Sequence, residues 1–375
     1  LVDHAVETAA WTTPVEGRGV HQVAVGPVHA GVIESGHFRF HVVGERILHL
    51  DLRLFYKHRG LERAAEGREL SDGLALAQRA CGACAVTNSV AYAQAGESVL
   101  GLFPSRELRR ARTVLLELER LYNHLNDIGA ACAGVGFASG NMAFAALKER
   151  AMRLNQAIVG HRFLFGSVEV GASRLVLSSS LAQRARGQLR ELQQDAARAW
   201  REIRFSASVQ ARLDGVGVLD RDAAVRLGAV GPAARASGLA RDTRRDSPGL
   251  LYGSSFVAAA PAATTGNVAA RLEVRAVELE VAFEILDGLL SGPLEADIAS
   301  PGGPTATIGV ARVEGPRGET VCVVEHEMLS LRRLHLRTGA YANWPALAEA
   351  SAGNLLPDFP LINKSFELCY ACVDR

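Results

Sequence analysis

Between residues 20 and 55 the apolar positions alternate or gather in β-rich runs: His21 to Val25, Gly36 to Val43 and Arg46 to Leu54. Gly44-Glu45 supplies a turn between the last two, so the pattern predicts a small antiparallel sheet. From about Leu61 the spacing changes to three and four residues and stays helical for more than two hundred residues. Ser71 and Asp72 are placed to cap a helix that runs toward Cys81. Pro104-Ser105 opens a long amphipathic helix on which Leu108, Val114, Leu115, Leu118, Leu121, Tyr122 and Leu125 recur on one face. Further helices are expected over about 141–163, 181–208 and 267–290, and four long helices joined by loops suggest a bundle. Gly- and Pro-containing stretches within 213–266 read as an irregular insertion before its last helix. After Pro301-Gly302-Gly303-Pro304 the pattern returns to strands, Ala306 to Val313 and Thr320 to Glu325, and the tail from Pro357 reads as extended.

The fold class is therefore mainly α with small β sheets (α+β). A central long-helix bundle is flanked by an N-terminal antiparallel sheet and a C-terminal β/extended region. The organisation along the chain is 1–60, 61–300 and 301–375. With 375 residues, 48% hydrophobic and 22% charged, the chain can build a substantial core. Forty-one Lys and Arg against 40 Asp and Glu leave no bulk field for a polyanion, which disfavours a general nucleic-acid binder. No uncharged run approaches the ~18–20 apolar residues of a membrane span, and Leu1 to Glu7 lack a signal-peptide pattern. The chain begins at Leu1 rather than Met, so a preceding segment or fused domain is compatible with the sequence.

Six cysteines stand at 81, 84, 132, 322, 369 and 372. A chain this large needs no disulfide staples, which fits a reducing, cytoplasmic setting. Cys81-Gly82-Ala83-Cys84 and Cys369-Tyr370-Ala371-Cys372 supply four thiolates, and Gly82 is expected to ease the turn of the first pair. Spacing alone leaves a structural zinc site, an iron-sulfur centre and redox-active dithiols open. The pairs lie nearly three hundred residues apart, far more than in zinc ribbons or fingers, so the whole fold rather than a local module must build any shared site. Cys132 and Cys322 read as small buried hydrophobes.

Arg79-Ala-Cys81-Gly82-Ala-Cys84, followed by Tyr92-Ala-Gln-Ala and Glu97, resembles the first nickel motif of nickel-iron hydrogenase large subunits. Cys369-x-x-Cys372 with Asp374-Arg375 is similar to their second motif. The likeness continues through Gly26-Pro27-Val-His29, Glu34 with Phe38-Arg39-Phe40, and His58-Arg59-Gly60-Leu61-Glu62. It includes Glu117-Leu-Glu119-Arg120 with Asn123-His124-Leu125, Arg241 to Asp246, and Glu314-Gly-Pro316-Arg317-Gly-Glu319. These blocks resemble the membrane-associated, energy-converting (formate-hydrogenlyase, complex I-related) hydrogenases and the nickel-free homologous subunit of complex I. That subunit lacks the cysteines, so their presence points to a retained metal. Departures are Asn88 where most relatives have His, Glu367-Leu368 where they have Asp-Pro, and Val170-Gly171-Ala172 in place of Pro-Gly-Gly.

The resemblance implies nickel held by Cys81, Cys84, Cys369 and Cys372. Cys84 and Cys372 would also bridge to an iron carrying cyanide and carbon monoxide. The implied reaction is reversible heterolysis of hydrogen, with Cys369 as the sulfur base. Glu34 is the expected proton carrier; Arg317 is the expected electrostatic lid that contacts the iron ligands, and both are expected to line one buried pocket. His29 matches a histidine that faces quinone in complex I and is expected to support the site or a subunit junction. His58-Arg59 and the Arg241 to Asp246 cluster are expected to form ion pairs, and His124 to be structural. The implied partners are an iron-sulfur small subunit and membrane antiporter-like or quinone-site-like subunits, placing the chain peripherally on the cytoplasmic face of the inner membrane. Relatives carry a C-terminal extension removed just after the position of Arg375, so further encoded residues are expected there. Cys369 to Arg375 should then be buried against the first cysteine helix. The alternatives are a metal-altered or non-catalytic complex I-like subunit that couples redox chemistry to a membrane arm, and a structural zinc-binding subunit.

Overall fold

The computed structural model describes residues 11–30, 33–247, 249–253, 256–303, 305–328 and 330–375, so Leu1 to Glu7 and Pro304 lie outside the described residues. Strands β1 (Val20–Val25), β2 (His37–Val43) and β3 (Arg46–Arg53) form an antiparallel sheet in that order, with Val23 opposite Phe40 and Phe40 opposite Leu50. Alternation along β2 turns Phe38 and Phe40 inward, where both meet Phe359, at ring-centroid distances of 5.3 and 4.7 Å.

Helix α1 (Leu70–Gln78) leads to the first cysteines, and α2 (Ala85–Leu100) begins directly after them. The long helices are α3 (Arg106–Gly134), α4 (Ala138–Val159), α5 (Ser179–Arg204) and α6 (Val268–Leu289), and α3 packs against both α4 and α6. Their starts follow sequence chemistry: the Ser105, Ser178 and Asn267 side chains accept from the backbone N–H of Leu108, Leu181 and Ala270 at 3.0, 3.2 and 2.9 Å. Ser71 and Asp72 do not cap α1; its N-cap is Glu69, and both residues lie in the first turn, where the Asp72 charge still complements the helix dipole. The segment expected to be irregular carries short helices Ala207–Leu213, Arg221–Arg226, Gly231–Ala236 and Thr243–Asp246.

Beyond residue 305 the strands β4 (Ile308–Gly315), β5 (Gly318–Glu327) and β6 (Ser330–Arg337) make a second antiparallel sheet, order β6-β5-β4. The third strand is masked in the sequence by its charge-rich pattern. After α7 (Gly339–Ser351) the tail from Pro357 is not extended: α8 (Phe359–Phe366) and the one-turn α9 (Ala371–Asp374) fill most of it. Pro360 reads as a breaker but sits in the first turn of α8, where its missing N–H is not needed. Among the described residues no helix is long and apolar enough to cross a membrane.

Helix α3 departs from a simple amphipathic reading. Arg112, Glu117, Glu119, Arg120, Asn123, His124 and Asp127 are all buried on it, and α6 buries Arg271, Arg275 and Glu278. Most of these charges are paired: Arg120 meets Glu117 and Glu278 at 3.1 Å each, and Arg235 meets Glu278 at 3.0 Å and Glu314 at 2.9 Å. Arg271 donates instead to the Ser365 hydroxyl and the Gly217 and Gly266 carbonyls. Burial would raise the carboxyl pKa of Glu278, Asp127 and Asp242, yet neighbouring cations outweigh it and hold all three below the usual range: chiefly Arg235 for Glu278, Arg317 for Asp127 and Arg244 for Asp242. A carboxylate with a depressed folded-state pKa contributes stability that is present above its unfolded pKa and lost as pH falls through the folded value. The urea midpoint is therefore expected to fall steeply between about pH 5 and about pH 3, with no such loss between about pH 6 and 7. A flat acid limb would contradict the assignment.

Candidate metal centre

Cys81 is the extended residue before a single 3-10 turn, Gly82–Cys84, and Cys84 is the N-cap of α2. Both thiols thus lie at the positive end of a sixteen-residue helix, which favours thiolates. Gly82 is not needed for the turn, as it has no left-handed φ and a Cβ there would meet nothing within 4 Å. The second pair is carried by the end of the chain. Its Tyr370 packs edge-on against Trp344 at 4.9 Å and Phe38 at 6.4 Å, so α7 and β2 fix the loop that presents Cys369 and Cys372. Glu367, in the left-handed region at φ 50°, ends α8 and turns the chain toward them.

The four Sγ atoms lie within 4.8 Å of one another, and Cys84 and Cys369 are 3.8 Å apart. All four are free thiols; three are buried and Cys369 is half-buried. A tetrahedral ion with bonds of about 2.3 Å needs sulfur-sulfur edges of about 3.8 Å, so this donor set fits a soft metal with little movement. Hydrogen bonds from Cys369, Cys372 and Cys84 hold Cys81 well below the usual thiol range, with Arg317 assisting against burial. Contact with the Cys369 thiol, followed by the other cysteines and burial, pushes Cys84 up. An unpartnered polar group lies close by. Asn88, one turn along α2 from Cys84, is fully buried with neither amide atom hydrogen-bonded.

Arg317, 5% exposed, donates from Nε to the Glu367 carbonyl at 2.9 Å, from Nη2 to Asp127 at 3.1 Å and from Nη1 to the Asn123 side chain. It pairs with neither Glu314 nor Glu319, which are taken by Arg235 and Arg312. Asp127, Cys369 and Cys84 overcome burial to raise its pKa, so its charge is permanent. Its turn is clasped by glycines. Gly318 has φ 115°, and a Cβ on Gly231 or Gly339 would come within 2.5 or 2.8 Å of the backbone of Gly318 or Arg317.

Glu34 accepts from the backbone N–H of Ala371, between the second pair of cysteines, at 2.9 Å. It lines a cavity of about 450 Å³ with Lys57, His58, Arg59, Ala371 and Asp374. Glu34 and Arg317 therefore grip the cysteine-bearing segment at Ala371 and Glu367 rather than lining one closed pocket. His29 bonds the Gly36 carbonyl at 2.7 Å and lines a separate, mainly apolar cavity of about 390 Å³ with Glu367, Leu368 and Tyr370.

The residues Tyr370 and Cys372 to Arg375 are buried, as expected, but against the 55–60 loop as much as against the cysteine turn. Asp374 accepts from Phe55 N–H and Lys57 N–H at 2.7 and 3.0 Å. Among the described residues His58 and Arg59 meet backbone carbonyls rather than carboxylates. His58 contacts the Asp374 carbonyl at 2.7 Å, and Arg59 donates to the Arg79 and Ala80 carbonyls at 3.0 and 2.7 Å. The end of α1 leaves those carbonyls open, and Arg59 supplies the donors. In the other cluster the expected pairs do form, Arg244 with Asp242 and Arg245 with Asp246, both at 2.7 Å.

Three residues to which the sequence assigns no role of their own complete the surroundings: Glu119, Asn123 and Asp127. Glu119, fully buried, accepts from Val86 and Thr87 N–H at 2.6 and 3.0 Å and from the Thr87 hydroxyl; burial lifts its pKa to about 7. Their spacing of four residues each on α3 is the available signal, one face turned to one place.

The family model for the respiratory-chain NADH dehydrogenase, 49 Kd subunit, matches residues 134–301 and 296–375. The chain belongs to this family, whose members include energy-converting nickel-iron hydrogenase large subunits. It is 35% identical to formate hydrogenlyase subunit 5 of Escherichia coli (strain K12) over 98% of this chain and 65% of that protein. It is 33% identical to hydrogenase-4 component G of the same organism, over 94% and 61%. The chain thus spans less than two thirds of either relative. It is also 31% identical to an NADH-quinone oxidoreductase subunit of Salinispora arenicola, over 94% of this chain and 93% of that one. A solved chain from the membrane-bound sulfane sulfur reductase (MBS), an archaeal respiratory membrane complex, superposes with TM-score 0.85 at 25% identity, covering 97% of this chain and 100% of that chain.

Proposed function

We propose that this chain is the catalytic large subunit of a nickel-iron hydrogenase. The observation that carries the reading is the meeting of four free thiols from two distant Cys-x-x-Cys pairs within 4.8 Å. Nickel would be held by Cys81, Cys84, Cys369 and Cys372, and an iron with cyanide and carbon monoxide ligands would share Cys84 and Cys372. When bound, this centre supplies the reversible heterolytic cleavage of hydrogen.

The protein's own part is to bind, orient and move protons. Cys369, the half-buried thiol of the four, holds a proton at Sγ. Glu34, anchored two residues away on Ala371 N–H, carries it between that sulfur and the cavity beyond. Arg317 keeps a fixed positive charge over the thiols and offers donors to diatomic ligands. Electrons leave through an iron-sulfur small subunit, because Cys132 and Cys322 are isolated, buried and unsuited to hold a cluster. Burial pushes Cys132 up to about 11 and Cys322 higher still. Membrane attachment, on the cytoplasmic face of the inner membrane, comes through antiporter-like or quinone-site-like partners; the relatives from membrane-bound complexes support attachment through membrane subunits as such.

Metal analysis combined with infrared spectroscopy tests the reading. Nickel and iron with bands of iron-bound cyanide and carbon monoxide are expected; zinc alone would make the site structural. Absence of any metal would favour the second reading, a complex I-like subunit that couples redox chemistry to a membrane arm. Asn88, Glu367-Leu368 and the likeness to the NADH-quinone oxidoreductase relative are the observations on its side. In the loaded enzyme Glu34→Gln is expected to slow hydrogen turnover by about a hundredfold with nickel retained. Unchanged turnover removes Glu34 from the proton path, and lost nickel recasts it as structural.

A further inference from the structure

Cys81 and Cys84 belong to the N-terminal half of the chain, and Arg317 to a hairpin turn that follows the helical bundle. One side chain joins them. Asn123 is buried near the middle of α3, and its Nδ2 donates to the carbonyl of Ala83, the residue just before Cys84, at 2.8 Å. The same Nδ2 donates to the Glu119 carbonyl at 2.8 Å, while Oδ1 accepts from Nη1 of Arg317. Both donor contacts are to carbonyls and the acceptor contact is to a guanidinium, so the amide can sit only one way round. The helix turn that carries Asn123 also holds the far side of the cysteine loop: Glu119 receives Val86 and Thr87 N–H, and the Tyr122 hydroxyl lies 3.4 Å from the Gly82 and Ala83 carbonyls.

We propose that Asn123 is a positioning residue that couples Arg317 to the Cys81–Cys84 turn, so that the guanidinium and the first thiol pair hold their places as one unit. The inference rests on the reading of the four thiols as a metal site, though not on which metal occupies it. Two properties of the amide matter. Its N–H₂ satisfies a carbonyl inside the cysteine turn, which is costly to leave buried without a donor. Its oxygen is one of three acceptors that aim Arg317, the others being the Asp127 carboxylate and the Glu367 carbonyl. Removing the amide frees both elements at once, whereas removing the guanidinium frees only one.

Cobalt(II) titration of the full chain, prepared without nickel, tests this through the sulfur-to-cobalt charge-transfer and ligand-field bands. Those bands report thiolate number and geometry without any turnover. The wild type is expected to give a four-thiolate spectrum; failure at this first step would overturn the metal-site reading itself and is distinguishable from a failure of the coupling. Asn123→Ala and Arg317→Met are each expected to weaken cobalt binding by about tenfold and to shift the ligand-field bands. The double variant is expected to bind about as weakly as the worse single one, because the two residues act on the same thiolates through one contact.

Independent action predicts instead that the two losses multiply, and a multiplied loss would overturn the proposal. Asn123→Asp separates the two contacts. It keeps an acceptor for Arg317 but places a carboxylate oxygen against the Ala83 carbonyl. It is therefore expected to disturb the bands as Asn123→Ala does while cobalt affinity still depends on Arg317. Should Asn123→Ala fail to fold, judged by its unfolding midpoint, Asn123→Ser and Asn123→Asp carry the same cycle. Wild-type bands and affinity in both would overturn the proposal.

Discussion

Replacing Cys84 or Cys372 by serine is expected to leave the purified chain with nickel near zero by elemental analysis, while Cys132→Ser and Cys322→Ser retain it. Both critical thiols are buried, and each lies where two elements meet: Cys84 at the N-cap of α2, Cys372 in the single turn of α9 beneath Tyr370. A serine hydroxyl matches a thiolate in neither softness nor acidity, so the site loses a ligand rather than exchanging one. The effect should extend to folding. Metal affinity is folding free energy wherever the site is absent from the unfolded chain, and structural zinc in small finger peptides binds with about 10–16 kcal/mol of apparent free energy. A drop in the thermal unfolding midpoint, matched by wild-type protein stripped of metal, is therefore the second readout. Full nickel occupancy in either variant would sink the four-thiolate assignment.

Much of this site is legible in the sequence because its donors come in pairs with fixed spacing. The two Cys-x-x-Cys pairs announce chemistry by residue type, whereas Glu34 and Arg317 stand out only through the family resemblance, and the fold brings the four thiols together with Arg317 beside them. The strands of the N-terminal sheet and the starts of α3, α5 and α6 are legible for a similar reason, since periodicity and caps are local. What escapes depends on long-range pairing. The leucine stripe of α3 suggests one apolar face, but its polar face is equally buried, because Arg275, Arg317 and Glu278 arrive from elsewhere in the chain to pair with Asp127 and Arg120 on it. Asn123 and Asp127 resemble ordinary helix-surface residues until Arg317 is placed against them. The tail from Pro357 reads as extended, yet α8 forms there and accommodates Pro360 in its first turn. His58-Arg59 misleads for the same reason as α3: among the described residues their partners are carbonyls on two cysteine segments.

The buried ionic network gives the largest expected change in stability from a single residue outside the cysteines. Arg235 is 2% exposed and faces three carboxylates: Glu278, Glu314 at 2.9 Å and Asp242 at 3.3 Å. Arg235→Met fills most of the volume but leaves those anions with Arg120 and Arg244 as their remaining cations. Breaking a buried pair in this way costs about 3–5 kcal/mol, because the charge left behind is neither solvated nor compensated. The cost has a pH signature. Burial already pushes Glu314 up in the presence of Arg235, and without it all three carboxyls rise further. A raised carboxyl gives stability that is full below its unfolded pKa and lost as pH rises through the folded value, the reverse of the wild-type carboxylates Glu278 and Asp242. The gap between variant and wild type in urea unfolding should accordingly be widest near about pH 7 and narrow toward about pH 4.5, from both sides. Because Glu314 begins the turn that ends at Arg317, and Arg120 holds the Glu314 and Gly315 carbonyls at 2.8 and 3.3 Å, the variant should also loosen the site. Faster amide hydrogen exchange across 314–318 at pH 7, reversed at lower pH, would register that link. A gap independent of pH would mean that packing, not charge, is what Arg235 contributes.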